Sequence, residues 1–371
     1  MVSEQALEEV LADVRRKFEE KPRVAFAGFG KAGKSSLFNA IYGEQIARVS
    51  MRTDETVAPD TRERFGIDFT DTPGIGTARF SLEKVLELHV FEKQHLVIHV
   101  LNGTAAISAE DEALQRFLEE KRVARITVVN KVDLLDDGER AEFAETLREK
   151  LGIGAEGFLF VSAKRGAGVG ELVERIADRL PAAMQDAFVA QQQASVESKD
   201  VRVRKLIYSK ATVAAAVGAV PLPFADAVVI MPLQVSMVAS IGYFYGVEVT
   251  RERALELLAT LGAGYGFREG ARHLVKLIPG YGSVVSAGVA FAGTVALGEA
   301  ARAWFRGKME ASPEDLRETF KKAAARAKEE FAGGKAVRHA AAVAALRKML
   351  ESGEITQEEF QRRIARLDEA A

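Results

Sequence analysis

The residues with the most specific chemistry form a glycine-rich octet, Gly28-Phe29-Gly30-Lys31-Ala32-Gly33-Lys34-Ser35, with Ser36 behind it. It follows the apolar run Val24 to Ala27 and opens a helical pattern near Lys34. Glycine at both ends lets the backbone wrap an anion closely, successive N–H groups face inward, and the helix start adds partial positive charge. Lys34 would reach the β- and γ-oxygens of a nucleoside triphosphate. The Ser35 hydroxyl suits Mg²⁺, which takes oxygen ligands in near-octahedral geometry. Asp71-Thr72-Pro73-Gly74 follows a second apolar run, Phe65 to Phe69. There Asp71 is expected to hold the metal through water. The Gly74 N–H is expected to meet the γ-phosphate, so that losing this phosphate releases the loop beyond.

Two further motifs have the chemistry to read a base. Asn130-Lys131-Val132-Asp133 ends the run Ile126 to Val129, and Ser162-Ala163-Lys164 ends Phe158 to Val161. A carboxylate at Asp133 can accept from both N1–H and the exocyclic amine of guanine, a donor pair that adenine lacks. A wrong base would leave the carboxylate unpaired, so discrimination of ~10⁴ is expected. Ala163 N–H is expected to meet the guanine carbonyl oxygen, and Lys131 to cover the base plane. Taken singly, each motif has an ordinary explanation as a turn; in this order the four specify a guanine nucleotide site.

These loops need strands to end them and helices to follow. Between residues 23 and 181, short β-branched runs alternate with charged helical stretches, the rhythm of βαβ units and a mostly parallel sheet. Beyond Pro181 the composition is helical, which predicts four segments: an amphipathic helix over 1–22, an α/β nucleotide domain over 23–181, an all-α apolar domain over 182–310, and a helical tail over 311–371. The chain has 371 residues, 51 Lys and Arg against 53 Asp and Glu, and no Cys. That excludes thiol catalysis, Cys-ligated metal and disulfides, and suits a reducing cytosol. His89, His95, His99, His273 and His339 show no catalytic spacing with carboxylates.

Residues 23–181, through these motifs, resemble the Era-like GTPases of the translation-factor class of P-loop proteins. The resemblance implies GTP hydrolysis to GDP and phosphate with Mg²⁺. It also implies a first switch running from Ala47 to Thr56, with Thr56 completing the metal site; Thr53 and Thr61 are competitors. Where Ras-type enzymes place a water-orienting Gln after the glycine of the second phosphate motif, this chain has Ile75, so slow turnover is expected, roughly 10⁻⁴ to 10⁻³ per second. Many relatives carry an Asn, associated with potassium activation, at the position of Lys31. Guanylate-binding proteins carry there an Arg that acts as an internal finger. Lys31 is therefore either a catalytic cation or a solvated loop lysine.

The helical half contains two uncharged segments, 227–247 and 277–298, each long enough to span a bilayer but interrupted by Pro232, Gln234 and Pro279. Pro221 to Asp226, Gln234, Tyr245-Gly246-Val247 and Pro279 to Ser283 resemble the YcjF-type domain of unknown function, with loose similarity to immunity-related and dynamin-like GTPases that work at membranes. The cations Arg202, Arg204, Lys205 and Lys210 precede it and could face an anionic leaflet or pair with an acidic helix. The last 25 residues resemble the short C-terminal SHOCT module, on Leu346, Leu350, Gly353, Ile355, Thr356, Phe360 and Leu367. Ser312 before Pro313, and Thr356 three residues before Glu359, read as helix N-caps. These features predict a GTPase that couples nucleotide state to rearrangement of the helical domain at a membrane or in an oligomer. A GTP-dependent scaffold with incidental hydrolysis is one alternative, and an RNA-binding ribosome-assembly GTPase like other Era-like proteins is a further one. Self-association and a cytoplasmic location, peripheral on a membrane face, are expected with the coupled GTPase. Nucleic acid is not expected, since residues 182–371 hold 25 Lys and Arg against 21 Asp and Glu and show no KH-like GxxG loop.

Overall fold

The computed structural model describes residues 4–20, 22–43, 60–64, 67–71, 91, 93–218, 229–262, 282–332 and parts of 342–363. The chain divides into two compact units, one of Arg16–Asp200 and the other of Met1–Arg15 with Val201–Ala371.

The first unit is built on a six-stranded sheet. Its strands are β1 (Arg23–Ala27), β2 (Asp60–Arg64), β3 (Ile67–Asp71), β4 (Leu96–Asn102), β5 (Arg125–Asn130) and β6 (Phe158–Val161). They lie in the order β2-β3-β1-β4-β5-β6, all parallel except β2, which runs antiparallel to β3. The continuous apolar runs of β1 and β4 are what a sheet covered on both faces requires. Helix α2 (Lys34–Tyr42) buries Leu37, Phe38 and Ile41. Helix α3 (Ala109–Glu120) places Leu114 and Leu118 against Ala25, Ala27 and Val97. Helix α4 (Asp137–Leu151) places Leu147 and Leu151 against Leu101, Val129 and Phe158. Each such side chain contributes roughly 2 kcal/mol by leaving water.

Two features refine the sequence reading. The second apolar run leads into strand β3, which continues past Phe69 so that Asp71 is its last residue rather than the start of a loop. Strand β2, Asp-Thr-Arg-Glu-Arg, carries no apolar alternation and went unpredicted. It sits at the sheet edge, where charge is tolerated and discourages pairing with other chains.

The unit also extends beyond Pro181. Helices α5 (Val169–Arg179) and α6 (Ala182–Gln191) pack together, and Ala187, Phe188 and Val189 are fully buried. Gln193 N and Ala194 N both donate to Ile41 O, at 2.8 and 3.1 Å. Composition did not mark this end because α6 resembles the helical sequence that follows. The predicted N-terminal helix forms as α1 (Glu4–Glu19) and divides between the units: Lys17 pairs with Asp186 in the sheet unit, while Glu4 and Glu8 pair with Arg251 in the other.

The second unit takes up α7 (Val196–Gly218) from Val201 onward, then α8 (Met231–Phe244), α9 (Arg251–Gly262), α10 (Gly282–Arg306) and α11 (Pro313–Ala332). Within the described parts of both uncharged segments, Val235, Ile241, Phe244, Val295 and Ala296 are almost wholly out of water, while Val229 and Met231 at the start of the first are exposed. Gly298 on α10 leaves room for Ile207 of α7, whose side chain would lie 2.6 Å from an added Cβ. Phe291 packs between Tyr208 and Phe331. Polar pairs inside the bundle include Gln234 Nε2 donating to Thr294 Oγ1 at 3.3 Å and Lys210 Nζ to Ser236 Oγ at 3.0 Å. Among the described residues no helix is long and apolar enough to cross a membrane. The four-cation run is broken up, because Lys210 turns to Ser236 and Arg204 lies 3.9 Å from buried Glu299. Ser312 caps α11 as expected, accepting from Asp315 N at 3.2 Å and donating to its carboxylate. In the tail Thr356 Oγ1 accepts from Glu359 N, but the Glu359 carboxylate turns to Arg363, so only half of the predicted box forms.

Candidate guanine nucleotide site

The strand register collects the motifs at one edge of the sheet. Phe26, one residue before the end of β1, is level with Asp71, and Asn102, Asn130 and Val161 are level across β4, β5 and β6. Loops at the carboxyl ends of parallel strands are where this architecture binds ligands.

The octet is a tight loop from β1 into α2. Gly28 has φ 148°, and a Cβ there would sit 2.2 Å from the Val100 carbonyl oxygen of β4. Gly33 has φ 89°, and its Cβ would sit 2.3 Å from Asn130 Nδ2. Both glycines are therefore dictated by close approach. Lys34 begins α2, and its buried ammonium donates to Gly28 O at 2.9 Å and Phe29 O at 3.4 Å, so the charge lies inside the ring of the loop. Ser35 and Ser36 follow on the first helical turn. Phe29, Gly30 and Ala32 border a cavity of about 320 Å³ that also touches Asn102, Ser108 and Asp111.

Asn130 is the hub of the site. It is 2% exposed; its Nδ2 donates to Ala32 O at 2.9 Å and Gly33 O at 3.4 Å, while its Oδ1 accepts from Ala163 N at 3.0 Å. One side chain thus ties the phosphate loop to both base-reading loops. Ala163 N–H, expected on the guanine carbonyl, is here donated to Asn130. Lys131 has φ 70° and Lys31 φ 66°, left-handed conformations that cost a side-chain-bearing residue roughly 1 kcal/mol or more. Burial first, then the charge of Lys31, lowers the pKa of Lys131.

Asp133 sits in a 3₁₀ turn, Val132–Leu134, closed by Leu134 N to Lys131 O. Ser162 Oγ donates to Asp133 Oδ1 at 2.6 Å and itself accepts from Arg165 N at 3.1 Å. The Ser162 hydroxyl first, then the Asp133 backbone amide and the charges of Arg165 and Lys164, hold the Asp133 carboxyl below its ordinary value, against the opposing effect of burial. Lys164 itself is exposed. The structure also brings in Arg140 and Arg165, which carried no signal in the sequence beyond standing near two motifs.

Ser35 stands on the first turn of α2, and Asp71, the last residue of β3, is level with Phe26 near the end of β1, so the residue types at this edge include the hydroxyl and carboxylate that Mg²⁺ prefers. Thr56, Gly74, Thr53 and Ile75 lie outside the described residues. Thr61 is a ladder residue of β2 opposite Thr70. His95 accepts from Arg23 N at 2.9 Å, at the start of β1, and His99 is fully buried on β4 opposite Ala27, 3.7 Å from Asp111.

A family of 50S ribosome-binding GTPases matches residues 23–131, a domain of unknown function (DUF697) matches 184–329, and a short C-terminal domain matches 341–367. The probable GTP-binding protein EngB of Gemmatimonas aurantiaca is 31% identical over 167 residues, which is 42% of this chain and 81% of EngB. The chain belongs to the Era-like P-loop GTPases. GTPase Der of Thermotoga neapolitana is another relative of this Era-like chain, 33% identical over 191 residues, 46% of this chain and 43% of Der. The chain thus spans less than half the length of that curated relative. A solved structure of Era in complex with MgGDPNP and nucleotides 1506–1542 of 16S ribosomal RNA covers 53% of this Era-like chain and 67% of that one, at 21% identity and a TM-score of 0.37. Nucleotide and Mg²⁺ are the ligands of the family. Its description as ribosome-binding also removes the ground for excluding nucleic acid by charge count alone.

Proposed function

We propose that the chain binds GTP with Mg²⁺ and hydrolyses it slowly, water attacking the γ-phosphorus while the bond to the β–γ bridging oxygen breaks to give GDP and phosphate. The observation that carries this reading is the Asn130 clamp, which hydrogen-bonds the phosphate loop to the base-reading loops. Gly28, Gly33 and the first turn of α2 would present N–H groups to the phosphates, and Lys34 would balance their charge. Asp133, kept ionised by Ser162, would select guanine. Ser35, Asp71 and Thr56 would hold Mg²⁺, which would neutralise phosphate charge. Lys31 would add a cation, and Gly74 would sense the γ-phosphate. Ile75 offers no hydrogen bond to the attacking water.

The helical unit is the proposed output, rearranging with nucleotide state in an oligomer or at the cytoplasmic face of a membrane. The mutual burial of its apolar segments and the paired polar groups between α8 and α10 support a packed form in at least one nucleotide state. Single-turnover hydrolysis with and without liposomes, and across protein concentration, tests this: lipid- or concentration-dependent rates support coupling, and invariant rates leave a GTP-loaded scaffold. A second reading, RNA or ribosome binding, is favoured by the family description of residues 23–131. A salt-sensitive RNA complex that depends on GTP would establish it.

A further inference from the structure

Two arginines from different elements bear on Asp133, one through the backbone turn that carries it and one at its carboxylate. Arg140, on the first turns of α4, donates from Nη2 to Val132 O at 3.0 Å. That carbonyl also accepts from Leu135 N at 3.2 Å, so the 3₁₀ turn carrying Asp133 is held both from within and from α4. The start of α4 is itself fixed, because Asp136 and Glu139 form a reciprocal capping box. Arg165, in the loop after β6, places Nε 3.8 Å from Asp133 Oδ2, the oxygen that Ser162 does not take. The same residue's N–H donates to Ser162 Oγ and so directs the hydroxyl proton toward Asp133.

We propose that Arg140 and Arg165 are positioning residues for guanine recognition, Arg140 by fixing the turn that carries Asp133 and Arg165 by restraining the free carboxylate oxygen. This rests on the assignment of Asp133 to the base. A carboxylate has about four acceptor directions. At 3.8 Å the guanidinium guides Oδ2 without filling those that guanine needs, and it favours the ionised form. With both arginines in place the two oxygens face one direction together, which is what two parallel donors, N1–H and the 2-amino group, require. Without them the carboxylate can still meet one donor but loses the pair.

The experiment is isothermal titration of the full chain with GDP, IDP and ADP, at low salt and at 1 M NaCl, for the wild type, Arg165→Gln, Arg140→Ala and Arg140→Lys. IDP lacks the 2-amino group, so the GDP:IDP ratio reports the second hydrogen bond. Arg165→Gln is expected to weaken GDP about 3-fold at low salt, with the difference closing at 1 M NaCl because the pair is exposed on the arginine side. Arg140→Ala is expected to weaken GDP about 10-fold. In both variants the GDP:IDP ratio falls, and Arg140→Lys, which keeps a donor, recovers most of it. Equal losses for GDP and IDP, or wild-type affinities in both variants, overturn the proposal while leaving the guanine site intact. A wild type that binds ADP as well as GDP overturns the base assignment and the proposal with it.

Discussion

Replacing Asn130 tests the clamp with the fewest side effects. Asn130→Ala removes one donor and one acceptor in a place that is 2% exposed, leaving Ala32 O and Ala163 N without their partner. Each unmatched buried group costs about 1–3 kcal/mol, and water at the loop surface recovers part, so a total of roughly 2–4 kcal/mol is expected. Spent on binding, that is a ~30- to 1,000-fold loss of GDP affinity; spent on the fold, it lowers the melting midpoint by roughly 5–15 °C. Asn130→Asp keeps the acceptor for Ala163 N but turns a carboxylate oxygen toward the carbonyls of Ala32 and Gly33. It is therefore expected to be worse than Ala at pH 7 and to recover as the carboxyl is protonated and can donate. GDP titration and urea unfolding on both variants, at pH 7 and 5, separate the two effects. GDP affinity within 3-fold of wild type and an unchanged midpoint for Asn130→Ala, or an Asn130→Asp defect independent of pH, would refute the reasoning.

Other outcomes follow from single contacts. Gly28→Ala puts a methyl carbon 2.2 Å from a backbone oxygen of a central strand, which no rotamer relieves; GDP binding is expected to fall at least 100-fold, and near-wild-type binding would show that the loop moves freely. Burial lowers the pKa of Lys199 from 10.5 to about 8, with Ala190 O its partner at 2.8 Å. Because the folded value lies below the unfolded one, the charge penalises folding fully below pH 8 and the penalty disappears above about pH 10.5. Lys199→Met is therefore expected to be more stable by roughly 2 kcal/mol at pH 7, about 3 from the relieved penalty less about 1 for the lost hydrogen bond, with the gain gone by pH 10.5. A pH-independent difference in urea unfolding would contradict this. Lys31→Ala is expected to slow single-turnover hydrolysis with little change in GDP affinity, and an unaltered rate would remove Lys31 from catalysis.

Much of the site could be seen in the sequence because its residues act through backbone and spacing. Gly28, Gly33, Lys34, Asn130, Asp133 and Ser162 stand at strand ends that continuous apolar runs announce, and the sheet register then brings those ends together. What escaped was set by partners distant in the chain. β2 is a strand because β3 pairs with it, not because of its own charged sequence. The sheet unit reaches Asp200 because Gln193 and Ala194 bond back to Ile41, a contact across 150 residues that no composition profile carries. Arg202, Arg204, Lys205 and Lys210 looked like one basic face until Glu299 and Ser236 took two of them. Arg140 and Arg165 are indistinguishable from solvated arginines until the turn and the carboxylate are placed beside them.

The most direct measurement is calorimetric titration of the full chain, with Mg²⁺ present, against GDP, GTP and ATP. Saturable binding of GDP and GTP with ATP at least 1,000-fold weaker is the predicted result. No binding of guanine nucleotides, or equal affinity for ATP, would contradict the site built on Lys34, Asn130 and Asp133.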